Sequence, residues 1–134
     1  MVEPVTKFTI EAPAGPIQIT AECSDGKCDT VSFVNIASFA RPEDLNVEVD
    51  VPGGVGKVTV DIAYGGMWYA ILDGPSIGLE VVPENAADIV RIGEMVKVAA
   101  REQHPVNHPE FDYPGCDIMA IKGTPTAKGV EKVH

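Results

Sequence analysis

A chain of 134 residues suits one domain and can bury roughly two-thirds of its unfolded surface, so a true core is available. Its 45% hydrophobic and 22% charged residues exclude a disordered or fibrous chain. The net charge of −10 and pI of about 4.6 argue against nucleic acid or anionic membrane as partners, because phosphate contacts need Lys and Arg.

No apolar run approaches the ~20 residues that span a bilayer. Met1-Val2-Glu3-Pro4 lacks the basic region and apolar core of a signal peptide. The expectation is a cytoplasmic protein without membrane contact, residues 1–134 forming a single domain or a partial one.

The first half is rich in strand signals. Phe8–Ala12 and Ile17–Glu22 alternate in polarity around an Ala14-Gly15-Pro16 turn. A further strand over Thr30–Ile36 follows a hairpin turn at Ser24-Asp25-Gly26-Lys27, which Cys23 and Cys28 flank. Val47–Val51 alternates again and stops at Pro52-Gly53-Gly54. Gly56–Tyr64 and Met67–Leu72 are separated by Gly65-Gly66, which reads as a tight bend. One helix is expected from about Ala86 to Glu102, with Asn85 as N-cap and Ile89, Ile92, Val96 and Ala99 as its buried stripe. Gly93 inside it points to a close packing contact, and the His104-Pro105 step ends it. Residues 105–115 read as loop, Asp117–Lys122 as a last strand, and 123–134 as a loosely ordered tail. The aromatic side chains Tyr64, Trp68 and Tyr69 are expected at the sheet surface or against a part of the protein outside these residues.

Three cysteines argue against a complete disulfide framework. The Cys23-x4-Cys28 spacing has no matching second ligand pair for zinc, so reduced thiols packed as small hydrophobes are the simpler reading. None of the three carries a sign of activation. Glu22, Asp25 and Asp29 crowd the hairpin and would raise a thiol pKa, and Cys116 is followed by Asp117. His104, His108, Glu110 and Asp112 form a loose cluster, but prolines forbid the helix that would align two histidines on a metal. No catalytic residue or metal is therefore assigned.

Val60-Asp61-Ile62-Ala63-Tyr64-Gly65-Gly66-Met67-Trp68-Tyr69-Ala70-Ile71-Leu72-Asp73 resembles the Asp-(Ile/Thr)-Ala-Tyr-Gly-Gly signature of the proline racemase family. Three further stretches are similar to family motifs in the same order. They are Glu3-Pro4-Val5-Thr6 through Gly15, then Val31–Phe39 (Val-x-x-x-Asn-Val-Pro-Ser-Phe, with Ile36-Ala37 for Val-Pro), then His108-Pro109-Glu110. That family contains proline racemases, 4-hydroxyproline epimerases and trans-3-hydroxyproline dehydratases.

The resemblance implies an α+β fold like part of diaminopimelate epimerase, a strongly bent antiparallel sheet or half-barrel around one central helix. It also implies a cofactor-independent reaction in which one thiolate takes the α-proton of proline or hydroxyproline while a thiol on the opposite face returns one. Neither family acid–base motif, Met-Cys-Gly-His or Asp-Arg-Ser-Pro-(Cys/Thr)-Gly-Thr-Gly, occurs within residues 1–134. The position nearest the substrate-contacting His of the epimerases is Asp117, or Cys116 if the register slips by one, and Asp117 is the candidate substrate-binding residue.

Three readings stay open. The chain is the middle of a racemase or epimerase whose acid–base residues come from elsewhere, including a complementary chain. Or it is the matching part of a dehydratase, to which the Glu3-Pro4-Val5-Thr6 start and Ala21-Glu22-Cys23 are similar. Or it is a non-catalytic module that binds or forms homo-oligomers.

Overall fold

The computed structural model describes residues 2–125, and most of the expected tail, residues 126–134, lies outside them. The chain forms two compact units divided between Ser38 and Phe39.

The first unit is a three-stranded antiparallel sheet in the order β1 (Val5–Ala12), β2 (Gly15–Ser24), β3 (Lys27–Phe33). Asp25 and Gly26 both have positive φ, 49° and 71°, the backbone of a two-residue turn whose twist matches the strands it joins. Strand register places Phe8 and Ile10 of β1, Ile19 and Ala21 of β2, and Val31 and Phe33 of β3 on one apolar face. Only the central strand buries its share, at Ile19, Ala21 and Cys23. β3 stops at Phe33, short of the expected Ile36. The Asn35 side chain accepts a hydrogen bond from the backbone N–H of Ile36 (3.0 Å), a local pairing that competes with the strand ladder.

The second unit holds β4 (Val47–Val51), β5 (Gly56–Tyr64), β6 (Trp68–Asp73), helix α1 (Ala86–Gln103) and β7 (Ile118–Lys122), with the strands in that order across one sheet. β4–β5 and β5–β6 are antiparallel, but β6–β7 is parallel, because α1 carries the chain back along the sheet before β7 begins. The α+β class stands, with the strands shared between two sheets and the helix packed on the second. One face of that sheet, Val49, Val51, Val58, Val60, Ile62, Ala70 and Leu72, is buried with Val96, Ala99 and Ala100 of the helix.

Three local expectations are corrected. Asn85 does not cap the helix. It lies in a 3-10 turn, Pro83–Asn85, without the extended backbone that aims a capping side chain, and its Nδ2 donates to the Glu80 carbonyl at 3.0 Å. The fully buried helix positions are Gly93, Val96, Ala99 and Ala100, whereas Ile89 and Ile92 are half-buried, because small residues let the helix approach the sheet. Tyr64 and Trp68 are core residues, 3% and 0% exposed, since they face each other across the β5–β6 hairpin and the 105–116 loop folds over them. Tyr69, on the opposite face, is half-buried.

Gly93 faces β7, yet a methyl group there would meet Ile121 Cδ1 and Met119 Cγ at 3.5 Å, ordinary contact distance. The glycine is thus not required by space. Gly93→Ala is expected to raise stability by about 0.5–1 kcal/mol through helix propensity. Urea unfolding checks this, and a loss in its place would mean that β7 cannot accept the methyl group.

Candidate functional site

The Asp61-to-Gly66 signature forms the end of β5 and the turn into β6. Gly66 takes a φ of 103°, and the Gly65 N–H donates to the Met67 carbonyl at 3.0 Å, so the pair makes the tight bend between strands. Just beyond it, Phe39 pairs with Tyr64 through two backbone hydrogen bonds of 2.9 and 2.8 Å. Phe39, Tyr64, Trp68 and His108 pack ring against ring at 4.7–5.7 Å between centroids. Trp68 Nε1 donates to the Tyr113 carbonyl at 3.1 Å, which ties the 105–116 loop to the signature hairpin.

Asp117 lies where that loop meets β7, and its backbone N–H donates to the Trp68 carbonyl at 3.3 Å. Its carboxylate takes a 2.6 Å hydrogen bond from Arg101, whose guanidinium also donates to the Cys116 carbonyl at 3.0 and 3.2 Å. One cation on the last turn of α1 thereby clamps the start of β7 and orients the carboxylate. The side chain borders an open cleft of about 390 Å³ between α1 and β7, whose apolar walls include Ile89, Ile118 and Ile121. Glu94 and Lys97 in the same cleft pair with each other at 2.7 Å. Asp117 is thus a partly exposed carboxylate beside the signature hairpin, able to accept hydrogen bonds from an ammonium or hydroxyl group.

The cysteines lie apart from this chemistry. Cys116 is fully buried, and burial pushes its thiol up to about 11, a further step from the reactive thiolate. Cys28 is exposed on β3, and its thiol is also raised, by lost hydration first, then by Cys23, then by Asp29. Asp29, one of the carboxylates expected to raise a thiol there, is the smaller influence. All three cysteines lie in strands or just before one, away from a helix N-terminus.

His104 and His108 do not converge. His104 Nε2 contacts Asp44 Oδ1 at 2.8 Å, whereas the His108 ring stacks on Phe111 at 3.7 Å and its Nδ1 accepts from the Glu110 N–H at 3.2 Å. Among the described residues no group of three or more His, Cys, Asp or Glu is placed to hold a metal.

A family model described as Proline racemase matches residues 1–133. The chain belongs to the proline racemase family. It is similar to a probable proline racemase from Agrobacterium radiobacter K84, solved with bound carbonate, at 35% identity and a TM-score of 0.82, over 94% of this chain and 36% of that one. It is also similar to a hydroxyproline epimerase from Agrobacterium vitis, solved with bound trans-4-OH-L-proline, at 32% identity and a TM-score of 0.75, over 87% of this chain and 33% of that one. An uncharacterized protein of Bacillus anthracis is 39% identical over 113 residues, 84% of this chain and 32% of that protein. The chain spans about a third of the length of each of these relatives.

For this proline racemase family member, sequence reasoning found the signature hairpin but missed Arg101, the partner of Asp117. A cation in the last turn of a helix suits the helix dipole by itself, so nothing local announces a partner sixteen residues later. The contacts of buried Asp44 with Arg41 and His104 were also missed: His104 lies sixty residues away, and Arg41 lies outside any expected element.

Proposed function

We propose that this chain is the central part of a cofactor-independent proline or hydroxyproline racemase or epimerase. It would work by two-base proton transfer at the α-carbon, with the acid–base residues lying outside residues 1–134. The observation that carries this reading is the family match over residues 1–133 with the signature hairpin formed, while the thiols of Cys23 and Cys28 lie in strands and that of Cys116 just before β7, away from activating helix ends. The hydroxyproline epimerase among the relatives, with its bound trans-4-OH-L-proline, favours an imino acid as substrate. Catalytic thiols work reduced, which fits a cytoplasmic setting.

Asp117 is proposed to contact the substrate. Its carboxylate, oriented by Arg101, would accept a hydrogen bond from the imino nitrogen or from a ring hydroxyl.

The test is deuterium uptake from solvent at the α-carbon of L-proline and trans-4-hydroxy-L-proline. The chain alone is expected to give none, and an assembly that includes a polypeptide carrying the Asp-Arg-Ser-Pro motif is expected to exchange. Exchange by the chain alone would overturn the placement of the acid–base residues. In the active assembly, Asp117→Ala is expected to slow exchange roughly tenfold or more, the scale of one charge-assisted hydrogen bond. An unchanged rate would remove Asp117 from the site.

The apolar face of the first sheet favours a second reading, a self-associating module without catalysis, since Phe8 and Phe33 are 49% and 58% exposed there. Native mass spectrometry separates the two. Whole multiples of 14.2 kDa would favour self-association, and a heavier complex with a different polypeptide would favour the assembled enzyme.

A further inference from the structure

We propose that Cys23 and Cys28 form a reversible cross-strand dithiol–disulfide pair, a thiol-oxidation site at the tip of the β2–β3 hairpin. The two residues are register partners, one position from the Asp25-Gly26 turn. In a two-residue hairpin the pair flanking the turn, Ser24 and Lys27, exchanges the backbone hydrogen bonds, so the next pair is the non-hydrogen-bonded kind. The direction of the Cys23 amide agrees with this. It donates away from β3, to the Pro4 carbonyl at 2.8 Å.

At such a pair the Cα atoms stand about 4.5 Å apart with side chains on the same face, inside the window of roughly 4.4–6.8 Å that a disulfide spans. The neighbouring Cys23 is one of the influences that raise the Cys28 thiol. Both are free in the reduced chain. The turn is also braced. The Gly26 N–H donates to Glu3 Oε1 at 2.7 Å, tying the turn to the segment before β1, and Ser24 Oγ donates to Asp29 Oδ2 at 2.6 Å across β2 and β3, where the ladder shifts register between Glu22 and Cys23.

The exposures set the order of events. Cys28 is exposed and Cys23 is buried, 4% accessible. Cys28 as thiolate attacks one sulfur of a low-molecular-weight disulfide, whose S–S bond breaks and releases one thiolate. The mixed disulfide on Cys28 is then attacked at the Cys28 sulfur by the thiolate of Cys23, and the second small thiolate leaves. Each leaving thiolate takes up one of the protons given up by the two cysteines. The protein dithiol is oxidised and the small disulfide reduced, without a further oxidant.

The experiment treats the intact chain with oxidised glutathione and counts alkylatable thiols after denaturation. Wild type is expected to fall from three free thiols to one, Cys116, with a peptide linking positions 23 and 28 and full recovery on reduction. Cys23→Ser is expected to stop at a stable glutathione adduct on Cys28, because the resolving thiol is gone. Cys28→Ser is expected to react far more slowly, because only the buried thiol remains in the hairpin. Accumulation of the same Cys28 adduct in wild type and in Cys23→Ser would overturn the proposal, as would a link between two chains in place of one within the hairpin.

Discussion

Replacing Trp68 with alanine is expected to cost about 3–5 kcal/mol, the range for truncating a fully buried aromatic side chain. Trp68 is 0% exposed and sits where three parts of the second unit meet. Phe39 and Tyr64 pack their rings against it at 5.7 and 5.3 Å, the Arg41 guanidinium stands 5.8 Å over its ring, and its Nε1–H satisfies the Tyr113 carbonyl. Alanine would open a cavity under the 105–116 loop and leave that carbonyl without its donor. Phenylalanine would fill most of the space but not restore the hydrogen bond, so Trp68→Phe is expected to lose less, about 1–3 kcal/mol. Trp68 is the sole tryptophan, so unfolding in urea must be followed by circular dichroism. A loss under about 1 kcal/mol in Trp68→Ala would mean that the loop does not depend on this anchor. Because the Asp117 amide bonds the Trp68 carbonyl, the variant should also disturb the proposed substrate residue.

The second large effect is expected at Asp44. This carboxylate is completely buried, takes hydrogen bonds of 2.6 and 3.0 Å from Arg41, and meets His104 Nε2 at 2.8 Å at the end of α1. Burial by itself would raise its pKa, but the hydrogen bonds and charges of Arg41 and His104 outweigh burial and hold it below the ordinary carboxylate value. Asp44→Ala is expected to cost about 3 kcal/mol, the low end for breaking a buried ion pair, since Arg41 keeps some access to water.

A carboxyl group with a depressed folded-state pKa binds its proton more readily when unfolded. Its stabilisation is therefore complete above the unfolded value of about 3.9 and fades as the pH falls through the lower folded value. Wild type should lose stability below about pH 4, and Asp44→Ala should lose less over the same interval. Urea midpoints at pH 7 and pH 3 test this. An equal difference between the two proteins at both pH values would rule out the electrostatic account.

Much of the fold was legible because it is written in short-range pattern. β4 and β5 have the boundaries that alternation and the flanking glycines and prolines predict, Val47–Val51 and Gly56–Tyr64. The helix differs from expectation by one residue at its end, where the pre-proline restriction at His104 acts. The Asp25-Gly26 turn needed only two residues that tolerate positive φ. Where a local rule met a competing partner it failed. Asn85 has the composition of a cap, but the nearby Glu80 carbonyl claims its amide.

By itself the sequence determined the acidic character of the chain, its α+β class and the hairpin carrying the family signature. Each of these depends on residues adjacent in sequence or on composition. Only the tertiary structure decided that Trp68 is buried, that β7 runs parallel to β6, that Arg101 clamps Asp117, and that Asp44 joins Arg41 to His104. Those outcomes rest on contacts between residues up to sixty positions apart. Such contacts depend on how the helix and the 105–116 loop cover the sheet, and no periodicity along the chain encodes that covering.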